Sequence, residues 1–157
     1  MLRHLRRPVS LSVVGTDLPI WSQVATAAMI YQKDGQLFDL VLKEPSISEA
    51  TSDSALYKDT SFRLLWLEIS PDRVIMTMQE TQKLSYRHFW ATGVYGISRY
   101  WLHDEPPKQP QGMQLRNYTR SLKLKGHPLP EQLSIDYELW AGQLQLGRYI
   151  LNLDIEY

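Results

Sequence analysis

A chain of 157 residues is long enough for one domain with a buried core, and 43% hydrophobic against 22% charged residues is a globular balance, not a disordered one. Its 17 basic and 17 acidic side chains cancel, so no global field draws the protein to nucleic acid or to an anionic membrane. Cysteine is absent, which excludes disulfides, thiolate nucleophiles and cysteine-ligated zinc or iron–sulfur centres and fits a reducing compartment such as the cytoplasm. No apolar run is long enough to span a bilayer as a helix.

The chain opens with Arg3, Arg6 and Arg7 and no acid before Asp17. The apolar stretch that follows is short and is broken by Ser10 and Ser12, so a flexible basic tail over residues 1–8 is expected, not a cleaved leader. Val9 to Val14 alternates as a strand. Asp17 and Pro19 could cap and start one short N-terminal helix carrying Ile20, Trp21, Val24 and Ala28 on one face. From Ala28 to Lys43 the pattern is a hairpin about Lys33-Asp34-Gly35, because Asp-Gly tolerates positive φ.

Glu44 to Ser61 reads as a polar, solvated connection, with one helical turn near Glu49 to Leu56; it is also the stretch best suited to act as a lid. Phe62 to Ile69 and Arg73 to Thr81 form a second hairpin about Ser70-Pro71-Asp72. The first of these strands is apolar on both faces, which predicts a covering layer on each side. Leu84 to Leu102 follows, dense in aromatic and basic residues. In it Tyr86, His88 and Trp90 share one phase, and Ile97, Arg99 and Trp101 share another. His103 to Gly112 carries three prolines and is a loop.

Met113 to Lys125 is a long strand. Leu133, Ile135, Tyr137 and Leu139 alternate strictly in the next one. Gln143 to Tyr157 returns, with a phase slip that predicts a β-bulge at Gly147. The expected fold is all-β: a single domain over residues 1–157, an antiparallel meander of roughly nine or ten strands closing into a barrel or strongly curled sheet. The strand count and size are similar to those of lipocalin-like barrels, a resemblance that implies binding of apolar ligands or, in some lyases, of tetrapyrroles.

Arg116, Tyr118 and Arg120 stand in phase with Leu122 and Leu124. If those leucines point inward, so do the arginines, and an inward arginine requires an anion. A carboxylate- or phosphate-bearing ligand would meet that need, since the guanidinium fork binds such groups bidentately. So would an ion pair with Asp136 or Glu138, and a swap of faces between Arg120 and Leu122 would remove the need. Basic residues dominate from Thr81 to Pro130 and acidic ones dominate the last strands, which suits cross-strand pairing or a basic surface for an acidic partner.

Motifs for catalysis are missing. No H-E-x-x-H, G-x-S-x-G or glycine-rich phosphate loop occurs. His103-Asp104-Glu105 makes a poor metal set, and Glu68 with Glu80 is a carboxylate pair that nothing local distinguishes. Asn117-Tyr118-Thr119 matches a glycosylation sequon, best explained as chance. No catalytic residue, metal or resident cofactor is therefore assigned.

Two readings remain. In the first, a non-enzymatic binding or assembly module engages a protein partner through an aromatic and basic surface. In the second, a barrel binds or transfers a hydrophobic, carboxylate-bearing small molecule such as a pigment; an enzymatic version would be of ligand-transfer or lyase type. The binding residues are Tyr86, His88, Trp90, Arg99, Trp101, Arg116, Tyr118 and Arg120 in either case. A nucleic-acid partner is not expected, since no RNP-like motif occurs.

Overall fold

The computed structural model describes residues 4–16, 21–45, 62–80, 84–102 and 113–157. Ten strands follow in chain order: β1 His4–Gly15, β2 Trp21–Asp34, β3 Leu37–Pro45, β4 Phe62–Ile69, β5 Arg73–Glu80, β6 Leu84–Ala91, β7 Tyr95–Leu102, β8 Met113–Lys125, β9 Gln132–Ala141 and β10 Leu144–Ile155. Each pairs antiparallel with its neighbour in sequence, and β10 pairs with β1, so the meander closes into a barrel. Closure leaves no strand edge open among these ten, which disposes of the unpaired N–H and C=O groups that an open sheet would present. No helix among the described residues is long and apolar enough to cross a membrane.

Turn chemistry sets the hairpins where the residues demand it. The Asp34 carboxylate accepts the Gly35 N–H at 2.8 Å. At the β4–β5 turn the Ser70 hydroxyl donates to the Asp72 carboxylate at 3.1 Å and reaches the Arg73 carbonyl at 2.9 Å. Gly142, at φ 61°, supplies the left-handed position between β9 and β10.

The basic start is drawn into the sheet: β1 begins at His4, and Arg6 and Arg7 are strand residues paired with Met29 and Ala28. The short helix expected at Asp17 to Ala28 does not form over its described part. Trp21 opens β2, and eleven consecutive β1 residues, His4 to Val14, pair along that strand. An isolated helix of this length is marginal, whereas a ladder this long pairs the backbone polar groups of both strands. Inward positions Val24, Ala28 and Ile30 then alternate as a strand requires. The helical turn near Glu49 to Leu56 and the loop His103 to Gly112 lie outside the described residues.

Three register shifts occur among the described strands, one of them beside the β2–β3 turn between Gln32 and Asp34, and the other two reset which side chains face in. One sits between Gln145 and Gly147, where the sequence places it. The other lies between Thr119 and Ser121 on β8. Ahead of it Leu115, Asn117 and Thr119 are buried; after it Leu122 is buried.

The interior is uneven. From β1 to β5 the buried inward side chains are aliphatic, with Leu40, Leu67, Ile69 and Val74 wholly buried, and Phe38, Met76 and Met78 beside them. From β6 to β8 the wall carries His88, Ser98, Asn117 and Thr119, each at most 5% exposed. β4 also departs from expectation. Leu65, Leu67 and Ile69 are buried, but Trp66 on the other face is 47% exposed, with the Lys33 ammonium 6.0 Å from its ring.

Candidate functional site

Strands β6, β7 and β8 carry both faces of interest. Period-two alternation splits the eight expected binding residues between them. Tyr86, His88 and Trp90 point into the barrel. Arg99, Trp101, Arg116, Tyr118 and Arg120 lie on the opposite, outward phase.

Of the alternatives open for Arg116 and Arg120, the structure has the swap of faces between Arg120 and Leu122, so neither arginine points inward. The β8 bulge shifts the phase by one residue just before Leu122, so the leucines face in while the arginines ahead of them face out. Arg120 instead donates to Glu138 at 3.2 Å, and Glu138 also accepts the Trp140 indole N–H at 3.1 Å. Arg116 donates to the Gly142 carbonyl and lies 5.2 Å from the centroid of Tyr95, which packs 4.9 Å from Tyr118. A carboxylate held inside the barrel by these two arginines has no geometric basis.

The inner face is a chain of contacts running from Trp90 to Asn117. His88 stacks on Trp90 at 5.0 Å and 8° between planes. Its Nδ1 lies 2.6 Å from Ser98 Oγ, which also accepts the Asn117 Nδ2–H at 2.8 Å. With Ser98 Oγ accepting from Asn117, its own proton is free to go to His88 Nδ1. The other imidazole nitrogen then carries hydrogen toward Tyr100 Oη, 3.5 Å away. Thr119, two residues along β8 from Asn117, stands opposite Tyr137, and Tyr137 packs 5.0 Å from Trp90.

Burial dominates the electrostatics. It pushes the His88 imidazole down to about 4 and the Tyr100 phenol up to about 12, with Tyr149 adding to the latter. It drives Tyr137 well above the ordinary phenol range. The wall is therefore uncharged at neutral pH. A serine beside a histidine has the composition of a nucleophile and its base, but an imidazole this hard to protonate is a weak base and Ser98 is wholly buried.

The outer face is an open groove of about 500 Å³ lined by Arg87, Phe89, Tyr95, Gly96, Ile97, Arg99 and Trp101. It adjoins a second concavity lined by Trp66, Glu68, Ile75, Thr77, Gln79 and Arg87. Arg87 borders both. Arg87 and Arg99 are exposed and directly opposed across β6 and β7. No carboxylate among the described residues lies within ion-pair distance of either.

The remaining sequence candidates come apart. Glu68 pairs with Ile75 and Glu80 with Arg63, so these acids sit toward opposite ends of the β4–β5 ladder and form no pair. Asn117 of the sequon is wholly buried and bonded through its amide nitrogen, which closes it to glycosylation in the folded barrel. His103-Asp104-Glu105 lies outside the described residues; among the described ones no group of three or more metal-binding side chains converges.

Ser98, Asn117 and Thr119 were not legible as site residues, since β8 without its bulge places Asn117 and Thr119 outside. Arg87, Phe89, Tyr95 and Ile97 carried a usable signal, the phase opposite to His88.

Comparison with known proteins adds the fold. No protein family matches the chain, and no curated protein does. Among solved structures, the crystal structure of the ywiB protein from Bacillus subtilis is similar: TM-score 0.60 and 14% sequence identity, covering 97% of this chain and 94% of that one. At that identity the likeness shows a shared fold alone.

Proposed function

We propose that this barrel is a non-enzymatic binding module whose outward β6–β7 face engages an acidic, partly apolar segment of a protein partner. The observation that carries this is the Arg87–Arg99 pair. Like charges directly opposed on neighbouring strands destabilise a sheet, and here no carboxylate among the described residues relieves them.

The apolar floor supports the same reading. Ile97 is 44% exposed and Tyr95 58%, with Phe89 and Trp101 beside them in the groove. Aromatic side chains flanked by arginine are the composition of interface centres. The closed sheet offers the partner no edge strand, so recognition runs through side chains and not through β-augmentation.

A photo-crosslinking residue placed at Ile97 tests this in cells. The expected result is a crosslink to an acidic protein that weakens with salt and disappears in Arg87→Glu/Arg99→Glu. Crosslinks that persist unchanged in the charge-reversed protein would defeat the proposal.

A further inference from the structure

On the β6–β8 part of the inner wall three polar atoms have no hydrogen-bond partner: the Trp90 indole N–H, Asn117 Oδ1 and Thr119 Oγ1. All three residues are 0% exposed. Buried polar atoms are normally satisfied, and each orphan costs of the order of 1–3 kcal/mol. They are also not scattered. Trp90, His88, Ser98 and Asn117 are linked by direct contacts, and Thr119, the next inward residue of β8, stands in register with Tyr137, which packs on Trp90.

The orphans are complementary in kind. The indole N–H requires an acceptor, Asn117 Oδ1 requires a donor, and the Thr119 hydroxyl can serve as either. Nothing in this group carries a formal charge. Charged residues in inward phase include Arg7 on β1 and Arg63 on β4, toward the ends of their strands, with Glu44 of β3 and Glu80 of β5 in register with Arg63. Across the barrel stand the aliphatic residues of β1 to β5, which add no polar group to the three atoms. Met76 stands opposite His88 and Met78 opposite Tyr86, at the border between the polar and aliphatic walls. Unbranched, flexible methionines are the side chains best able to make room.

We propose that the barrel interior holds a site for a small neutral amphipathic molecule: a head with a carbonyl-type acceptor for Trp90 and an N–H or O–H donor for Asn117, and a hydrocarbon body against the β1–β5 wall. A primary or secondary fatty amide has this chemistry, and a carboxylate does not, because a bare charge among these uncharged groups would be costly to bury.

Native mass spectrometry of the full chain titrated with octanamide and, separately, octanoate tests the site. A one-to-one octanamide adduct is expected, formed directly or by displacing a co-purified neutral molecule, with octanoate failing to compete. Thr119→Val keeps the side-chain shape and should weaken the adduct roughly three- to tenfold; adding Trp90→Phe should weaken it further. Circular dichroism confirms that both variants fold. The proposal is overturned if octanamide forms no saturable adduct, if octanoate binds as tightly, or if both variants bind unchanged. It is overturned equally if crystals soaked in octanamide show only water on the three atoms.

Discussion

His88 and Ser98 are directly opposed on β6 and β7 inside the barrel, with Nδ1 and Oγ 2.6 Å apart. The pair is held by an amide, Asn117, and not by an acid, so nothing beside the imidazole favours its protonation. The rings that face it belong to Tyr86, Tyr100 and Tyr137, and burial pushes the last two phenols up, further from the acid range.

This arrangement ties the acid sensitivity between pH 6.5 and 4 to His88. An unfolded chain protonates His88 near 6.5, whereas the native barrel resists protonation down to about 4. The unfolded state therefore binds more protons between these values. The associated stability is complete above pH 6.5 and is lost as pH falls toward 4, by roughly 3 kcal/mol in all. Urea denaturation across pH 4 to 7 measures it. His88→Gln should flatten the slope within that window. A wild-type slope retained in His88→Gln would assign the effect elsewhere.

A second prediction separates folding from binding. Arg87→Glu converts a like-charge cross-strand pair into an opposite-charge pair with Arg99, and stability at low salt should rise by about 0.5 kcal/mol. The gain should shrink in 1 M salt, where the screening length falls to about 3 Å. Thermal melts at two salt concentrations check it. A destabilised variant would mean that Arg87 has a structural partner.

Gly96 and Gly147 should differ sharply when each is changed to alanine. A Cβ at Gly96 would lie 2.1 Å from the Phe89 backbone oxygen, which cannot move without displacing the β6–β7 hairpin. Gly96→Ala should cost roughly 3 kcal/mol. At Gly147 the obstruction is the Tyr149 phenol, nearest at 2.9 Å, the far end of a side chain that can swing. That substitution should cost about 1 kcal/mol. Urea midpoints of both variants decide the order.

Arg148 grips Asp136 bidentately, Nε to Oδ1 at 3.0 Å and Nη2 to Oδ2 at 2.7 Å. Arg148 holds the Asp136 carboxyl below its usual range, so this contribution is present above pH 4 and fades as pH falls below it. Both side chains are partly exposed, and the coupling should be modest, about 0.5–1 kcal/mol. A double-mutant cycle with Arg148→Met and Asp136→Asn measures it at pH 7. Coupling near zero would reduce the pair to a surface contact.

What could be read from the sequence was whatever local chemistry controls. Alternation in Leu133, Ile135, Tyr137 and Leu139 announced β9. Asp34-Gly35 and Ser70-Pro71-Asp72 announced turns, and the phase slip at Gly147 announced a bulge. The helical reading of Asp17 to Ala28 failed for the opposite reason: the eleven-residue ladder with β1 is a partnership that no window around Trp21 contains.

The sequence by itself determined an antiparallel all-β chain and the separate phases of the aromatic segment, because a two-residue period and turn propensities are properties of neighbours. Only the tertiary structure decided that β10 closes on β1 and that β8 slips between Thr119 and Ser121. That slip turned Arg116 and Arg120 outward and brought Asn117 and Thr119 into the barrel. Register belongs to a pair of strands, so it exists only once the partner strand is in place.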